Sequence, residues 1–371
     1  MSSLDRIIHA AAVLAIGALA SGALSAHAAD WQANAGADWQ NILAAAKKEG
    51  RVAVAGPAEL AGPMTEGFKR DTGIEVEFLG GETRDRSSRV AREVRTGKVT
   101  LDFVFSGSVE LPLVKEGYFE DQSAKLILPG VTNMKNWING ELKWVDNTQK
   151  YMLQTQAFVS SVPIYDGNSI KPGELTSWND LLDSKYKGKI VAYDPRSGGP
   201  GAQIAGYIGA TKGIDFLKSL YVGQEVVYSQ NSRQMTEWIA RSVHKVGLGI
   251  PSADYLTLTN AGIKNLVPAN MKDGPGALSG GFSVVLMPKG APHPNAATVV
   301  LNWVASAPGQ EAYSKALKTI SRRTDVPPDA SVAAYTVPKP GVTYQDQYSE
   351  DYLTNVRAVI LEQVMVAIGG K

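Results

Sequence analysis

Arg51-Val-Ala-Val-Ala55, Ile74-Glu-Val-Glu-Phe78 and Leu101-Asp-Phe-Val-Phe105 are three short runs that read as strands, and the segments between them read as helices. The first run is apolar after Arg51 and fits a buried strand, which Gly56-Pro57 ends. Residues Pro63 to Arg70 then fit a helix with a proline in its first turn, where the missing N–H costs nothing. The second run alternates apolar with charged residues, so it predicts a strand with one wet face. Ser87 to Thr96 supplies the next helix. Strand, helix, strand, helix, strand in this order implies a parallel sheet with crossover helices.

Working outward toward the N-terminus, Trp39 to Glu49 carries apolar residues at helical spacing and Gly50 is placed to stop that helix. Before it, Arg6 precedes an apolar run, Ile7 to Ala20, and then Ala26-His27-Ala28. That order predicts a cleaved export signal over residues 1–28, the alternative being an uncleaved anchor. The run is short and rich in Ala and Gly, whereas a membrane span needs about 20 strongly apolar residues. The chain has no cysteine. Disulfides, a lipid-modified N-terminus, a thiol nucleophile and thiolate metal sites are therefore excluded. Stability must come from large apolar cores. With 37 basic and 36 acidic residues the formal charge is +1, and no basic stripe offers nucleic acid a surface. A free monomeric protein of the periplasm is the expectation, with no cofactor.

A second α/β series follows Phe158-Val-Ser-Ser-Val162: a Ser-capped helix at Ser177 to Leu182, a strand at Lys189 to Tyr193, a helix over Gly201 to Ala210, and strands at Val246 to Ile250 and Ser283 to Met287. A helical region over Asn295 to Leu317 reads as broken at Pro308-Gly309. Thr324 to Thr343 reads as extended, and Tyr352 to Ala367 as a closing amphipathic helix. Two α/β blocks predict two lobes, residues 29–157 with 282–320 and residues 158–281 with 321–371. Small ligands bind between lobes and at the C-terminal ends of parallel strands.

The segment Ser177-Trp-Asn-Asp-Leu-Leu-Asp-Ser-Lys-Tyr-Lys-Gly-Lys-Ile190 resembles a conserved block of the bacterial extracellular solute-binding proteins, in the branch containing the ferric-binding proteins. Pro275 to Leu278, Val284 to Gly290 and Ala296 to Ala312, with Ala307-Pro-Gly-Gln-Glu311, are similar to that family's later hinge strand and helix. The resemblance covers about Val52 to Arg323. It implies a type II periplasmic-binding fold, two lobes of mostly parallel sheet flanked by helices. Two hinge strands, here Phe158 to Tyr165 and Gly281 to Pro288, would close the lobes around a solute. It also implies an inner-membrane permease of an ABC importer as partner.

Six loops after strands supply the candidate contacts. Glu59, in Gly56 to Gly62, is either a ligand contact or part of a surface turn. In Gly80 to Ser88, Thr83 and Ser87 offer hydroxyls and Arg84 a bidentate clamp for a carboxylate or phosphate. The alternative there is a solvated face, with Arg84, Arg86 and Arg89 paired to Glu82, Asp85 and Glu93. Ser106 and Ser108 either expose hydroxyls to the cleft or form a plain turn. Asp194-Pro-Arg-Ser-Gly-Gly-Pro-Gly201 opens a helix, and its glycines let backbone approach a ligand as an anion nest. The resemblance carries anion binding onto Ser197, Gly198 and Gly199, with Arg196 beside them. Asn231 and Ser232 are either helix caps or ligand contacts. At Ala253-Asp254-Tyr255 the ferric-binding relatives have adjacent tyrosines; here one carboxylate and one phenol remain, and the first loop lacks the His that some of those relatives use. That pattern favours a small organic anion, a carboxylate, phosphonate or sugar phosphate, over the alternative of ferric iron with a synergistic anion, and no metal ligand set is assigned. A secreted enzyme is a further alternative. It finds little support: His244 and His293 are the only histidines after the signal, both expected to be exposed, and no G-x-S-x-G turn or P-loop appears.

Overall fold

The computed structural model describes residues 31–81 and 83–369; the export signal expected at 1–28 and Glu82 lie outside the described residues. Three sheets organise the chain. The first contains β1 (Arg51–Ala55), β2 (Glu75–Leu79), β3 (Phe103–Ser106), β4 (Lys143–Trp144), β5 (Leu153–Gln154) and β13 (Val284–Leu286), in the order β2-β1-β3-β13-β5-β4. Strand β1 runs parallel to both β2 and β3, with Val52 opposite Val76 and Val54 opposite Phe103, as the alternation of strand and helix requires. Strand β13 returns antiparallel to β3 and β5. In β2, Glu75 and Glu77 are exposed while Val76 and Phe78 are half-buried, which is the wet-faced strand expected from its alternation.

The second sheet contains β7 (Ile164–Asp166), β8 (Ile190–Tyr193), β9 (Val227–Ser229), β10 (Val246–Leu248) and β11 (Leu266–Pro268), ordered β11-β7-β10-β8-β9, with β8 parallel to β9 and β10. A small third sheet joins β6 (Phe158–Ser160), β12 (Ala277–Ser279) and β14 (Gln345–Asp346). Each large sheet has its own core. Trp39, Phe68, Phe103, Phe105, Trp137 and Trp303 pack in one; Trp178, Tyr186, Tyr207 and Tyr221 pack in the other. Burying one such side chain stabilises by about 1.5–3 kcal/mol. Edge-to-face contact of Phe68 with Trp303, centroids 5.6 Å apart, adds shape specificity.

Two local readings change. The helical region after Asn295 breaks at Ser306 and not at Pro308-Gly309: helix Pro294–Ala305 ends, and Ser306 caps helix Ala307–Leu317 by accepting from the Gly309 N–H. Pro308 falls in that second helix's first turn, where proline is favoured, so it starts a helix where sequence suggested it stops one. The hairpin β4–β5 is the other, two strands of two residues each that are too short for periodicity to announce.

The chain passes between the large sheets more than once. Residues 155–163 connect β5 to β7 and carry β6 on the way, while 280–283 connect β12 to β13. The C-terminal segment also packs against both large sheets: Tyr348, Tyr352 and Leu353 join Val104, Leu111 and Val284 in a further cluster on the first sheet, and Ile360, Val364 and Ile368 pack with Tyr207, Ile208 and Leu217 in the second sheet's core. Among the described residues no helix is long and apolar enough to cross a membrane.

Candidate ligand-binding site

The loops at the C-terminal ends of β1, β2 and β3 form one half of the site. After β1, Glu59 lies in the turn Ala58–Leu60 with its side chain exposed. After β2, Thr83 and Arg84 open helix Thr83–Thr96. After β3 the polar groups turn inward. Ser106 is fully buried and its hydroxyl donates to Glu110 at 2.7 Å; the Ser87 hydroxyl donates to the same carboxylate oxygen. Glu110 is itself fully buried, and that burial pushes its carboxyl up, against the Ser87 and Ser106 hydrogen bonds and the Arg86 charge that pull it down. Arg86 is buried, donating to the carbonyls of Gly56 and Gly81 and lying over the Phe282 ring. The solvated face expected for Arg86 is thus replaced by a tie between two loops, whereas Arg89 does pair with Glu93 at 2.6 Å on the helix surface. Ser108 is half-buried and hydrogen-bonds with Tyr348.

Loops after β8, β9 and β10 form the other half. Asp194 accepts three hydrogen bonds from the Arg196 guanidinium, at 2.8, 2.9 and 3.1 Å, and one from the Arg196 backbone N–H. Burial acts to raise the Asp194 carboxyl, but those bonds win and hold it below the usual range. Arg196 is thereby neutralised, and it lies over the Tyr228 ring. The Ser197 hydroxyl donates to the Asp194 carbonyl. Gly198 and Gly199 both have positive φ, 78° and 53°, and a Cβ on either would meet nothing within 4 Å. They open the 14-residue helix Gly199–Lys212, whose first helical bond runs from Ala202 N–H to the Gly198 carbonyl. The amides of Gly199 and Gly201 stand ahead of that ladder, at the positive end of the helix dipole. Behind them, Gly201 lets the loop fold back, because a Cβ there would sit 2.6 Å from the carbonyl oxygens of Asp194 and Tyr193.

Asn231 caps helix Ser232–Ala240 by accepting from the Gln234 N–H, so the capping reading of this turn is realised; Ser232 is that helix's first residue. Asp254 and Tyr255 are half-buried in the first turns of helix Ser252–Asn260, and Tyr255 meets Tyr335 edge-to-face at 5.2 Å. Burial raises the phenols of both.

The two halves meet around Ser279. Gln203, in the second turn of helix Gly199–Lys212, donates to the Ser279 hydroxyl at 3.4 Å, and its carbonyl accepts from Gln347. The Tyr348 phenol donates to the Gly281 carbonyl at 2.6 Å and also hydrogen-bonds with Ser279 and with Ser108 from the first half. Phe282, 42 % exposed, stands beside Arg86 at the same junction. Sequence reading missed Gln203, Phe282, Tyr335 and Tyr348. Gln203 had a signal, its place one turn after the Gly198-Gly199 bend, and Phe282 lies in the expected hinge strand Gly281 to Pro288; Tyr335 and Tyr348 come from segments with no regular strand or helix pattern.

The histidines lie elsewhere. His293 is not exposed as expected: its Nδ1 is 2.8 Å from buried Asp102 and its Nε2 faces the Arg51 guanidinium at 3.4 Å. Asp102 and Arg51 stand at the starts of β3 and β1, the end of the sheet opposite the loops. A nucleophile's place at Nε2 is therefore taken by a cation. His244 is half-buried, and burial, with the Lys189 charge, lowers its pKa.

Two α/β sheets with separate cores, joined by repeated crossings and meeting through loops at the C-terminal ends of parallel strands, define a two-lobed binding protein. The family described as bacterial extracellular solute-binding protein matches residues 63–339, and the chain belongs to that family. It is a solute-binding protein of ABC-type transport with the type II periplasmic-binding fold. Solved structures of like fold include a Trichodesmium protein, IdiA or FutA, in complex with iron and citrate, with TM-score 0.67 and 17% identity over 86% of this chain and 99% of that one. AfuA from Actinobacillus pleuropneumoniae, with fructose-6-phosphate bound, gives TM-score 0.64 and 18% identity over 86% and 99%. The Bordetella ferric binding protein gives 0.65 and 18% over 85% and 98%. An uncharacterised protein of Haemophilus influenzae is 28% identical over 169 residues, so the match spans 43% of this chain and 45% of that relative.

Proposed function

We propose that this protein captures a small organic anion, a carboxylate, phosphonate or sugar phosphate, between its lobes in the periplasm and delivers it unchanged to the inner-membrane permease of an ABC importer. One observation carries the reading: at Gly198-Gly199 the backbone is bare of side chains on its open side, and the Gly199 and Gly201 amides stand ahead of the helix ladder, a site suited to anionic oxygens. Tyr255 and Tyr335 give the same half an aromatic wall, and Ser197, Asn231, Ser232 and Asp254 stand in loops or first helical turns that follow the strands of the same sheet. Glu59, Thr83, Arg84 and Ser108 would approach from the other lobe.

The two ligand classes named for proteins of like fold, iron with citrate and a sugar phosphate, share an anionic oxygen group. Where the resemblance would place adjacent tyrosines this chain has Ala253-Asp254-Tyr255, which offers a ferric ion one phenol and not two. The organic anion is therefore preferred to the metal. Micromolar capture corresponds to about 8 kcal/mol. A thermal-shift screen of citrate, inorganic phosphate, alkylphosphonates and sugar phosphates tests this, because a ligand of the native state raises the melting temperature. A rise with at least one anion is expected. If none shifts the protein while ferric salt alone does, and colours it, the iron reading replaces ours.

A further inference from the structure

The family match ends at residue 339, and the chain then continues through the segment that packs against both large sheets. Leu353 packs on the first sheet and Ile360 in the second sheet's core, so the residues between them lie at the junction of the lobes. Arg357 stands there. Its stem lies against helix Gly199–Lys212: a Cβ on Gly206 would be 3.0 Å from Arg357 Cγ and 2.9 Å from the Tyr352 hydroxyl. The helix that follows, Ala358–Ile368, packs against the turn Pro195–Ser197 just before Gly198 and Gly199. Tyr348, whose phenol reaches Gly281, Ser279 and Ser108, and Tyr352 both act electrostatically on Arg357.

Arg357 differs from Arg196, Arg89 and Arg323. Arg196 is held by Asp194, Arg89 by Glu93 and Arg323 by Asp325. Among the described residues the Arg357 guanidinium has neither a hydrogen bond nor a carboxylate partner, and burial lowers its pKa. Arg357 is half-buried, and a partly desolvated cation with no carboxylate beside it gains from the arrival of a negative group.

We propose that Arg357 is the cation that receives the solute's negative group, which makes the C-terminal segment beyond the family match a specificity-determining part of the site. This rests on the reading of the protein as an anion binder. Arg357 acts from the C-terminal segment beside the loop that presents the Gly198 and Gly199 backbone, so that loop itself needs no free cation.

The test uses the full mature chain and isothermal titration with citrate, inorganic phosphate and fructose 6-phosphate, on wild type, Arg357→Gln and Arg357→Lys. With the probe that wild type binds best, Arg357→Gln weakens binding at least thirtyfold and Arg357→Lys, which keeps the charge but not the planar fork, about tenfold. The ligand-free melting temperature of Arg357→Gln equals or exceeds that of wild type, because an unpaired charge is removed. If Arg357→Gln binds within threefold of wild type, the assignment falls while anion binding stands. If wild type binds none of the three probes, anion binding falls and takes the assignment with it. A variant that fails to fold, or melts well below wild type, makes Arg357 structural and also overturns it.

Discussion

The segments after β2 and β3, taken together, and the loop after β8 start from similar ingredients, serines, an arginine and an acid beside a helix, and use them in opposite ways. After β2 and β3 the groups are sealed inside: Ser87 and Ser106 both spend their hydroxyls on buried Glu110, and Arg86 bonds the backbone of two neighbouring loops. After β8 the buried acid and the exposed arginine cancel each other, and what stays open is backbone, at Gly198 and Gly199. Polar side chains near a site are thus poor evidence of contact with ligand. They are as readily consumed in fixing the loops, and unpaired backbone amides are the groups left over.

The largest effect should come from breaking the open loop at its base. Gly201→Ala places a Cβ 2.6 Å from the carbonyls of Asp194 and Tyr193, backbone that can move only if the whole turn moves. Overpacking of this kind costs about 1–3 kcal/mol. Urea unfolding should show that loss, and calorimetry should show anion binding reduced a hundredfold or more. Unchanged binding would mean that the Gly198-Gly199 turn is not the anion site.

A smaller effect probes the sealed loop. Burial holds the Glu110 carboxyl above its ordinary value of 4.5, so the folded state favours its protonated form. The stability this confers is fully present below pH 4.5 and is lost as pH rises through the raised value. Glu110→Gln keeps an oxygen to accept from Ser87 and Ser106 but carries no charge. At pH 7 it should be more stable than wild type by about 1 kcal/mol, and that difference should close as pH falls toward 4.5, followed by thermal melts across the range. A variant less stable than wild type at pH 7 would show that the Arg86 charge, not burial, governs this carboxyl.

The contrast also explains what sequence alone disclosed. Strand periodicity, glycine stops and the Ser177–Ile190 block gave the α/β order and the two sheets, because those depend on local pattern and large apolar faces. The loops were located as well, since each follows a strand. Whether a loop's side chain is free was not legible: Glu110 is four residues from Ser106 yet 23 from Ser87, and Tyr348, the partner of Ser108, is 240 residues further along the chain. Pairings at such separations are set by tertiary packing. Glycines fared better, because their role depends on the backbone of the turn that contains them, and a Gly-Gly bend before a helix is already visible in the sequence.

The smallest expected effect separates a charge that touches ligand from one that is balanced before ligand arrives. Removing Arg196 alone, as Arg196→Gln, uncovers the Asp194 carboxylate beside the Gly198-Gly199 amides. Anion binding should then weaken about tenfold, through repulsion by Asp194 and not through a lost contact. Removing the acid as well, in Asp194→Asn with Arg196→Gln, takes away that repulsion together with the pair. Affinity should return to within about threefold of wild type, and the coupling between the two changes, read from a double-mutant cycle by calorimetry, should account for nearly all of the single-variant loss. If the double variant stays as weak as Arg196→Gln, the guanidinium itself meets the solute, and the two loops differ less than their hydrogen bonds suggest.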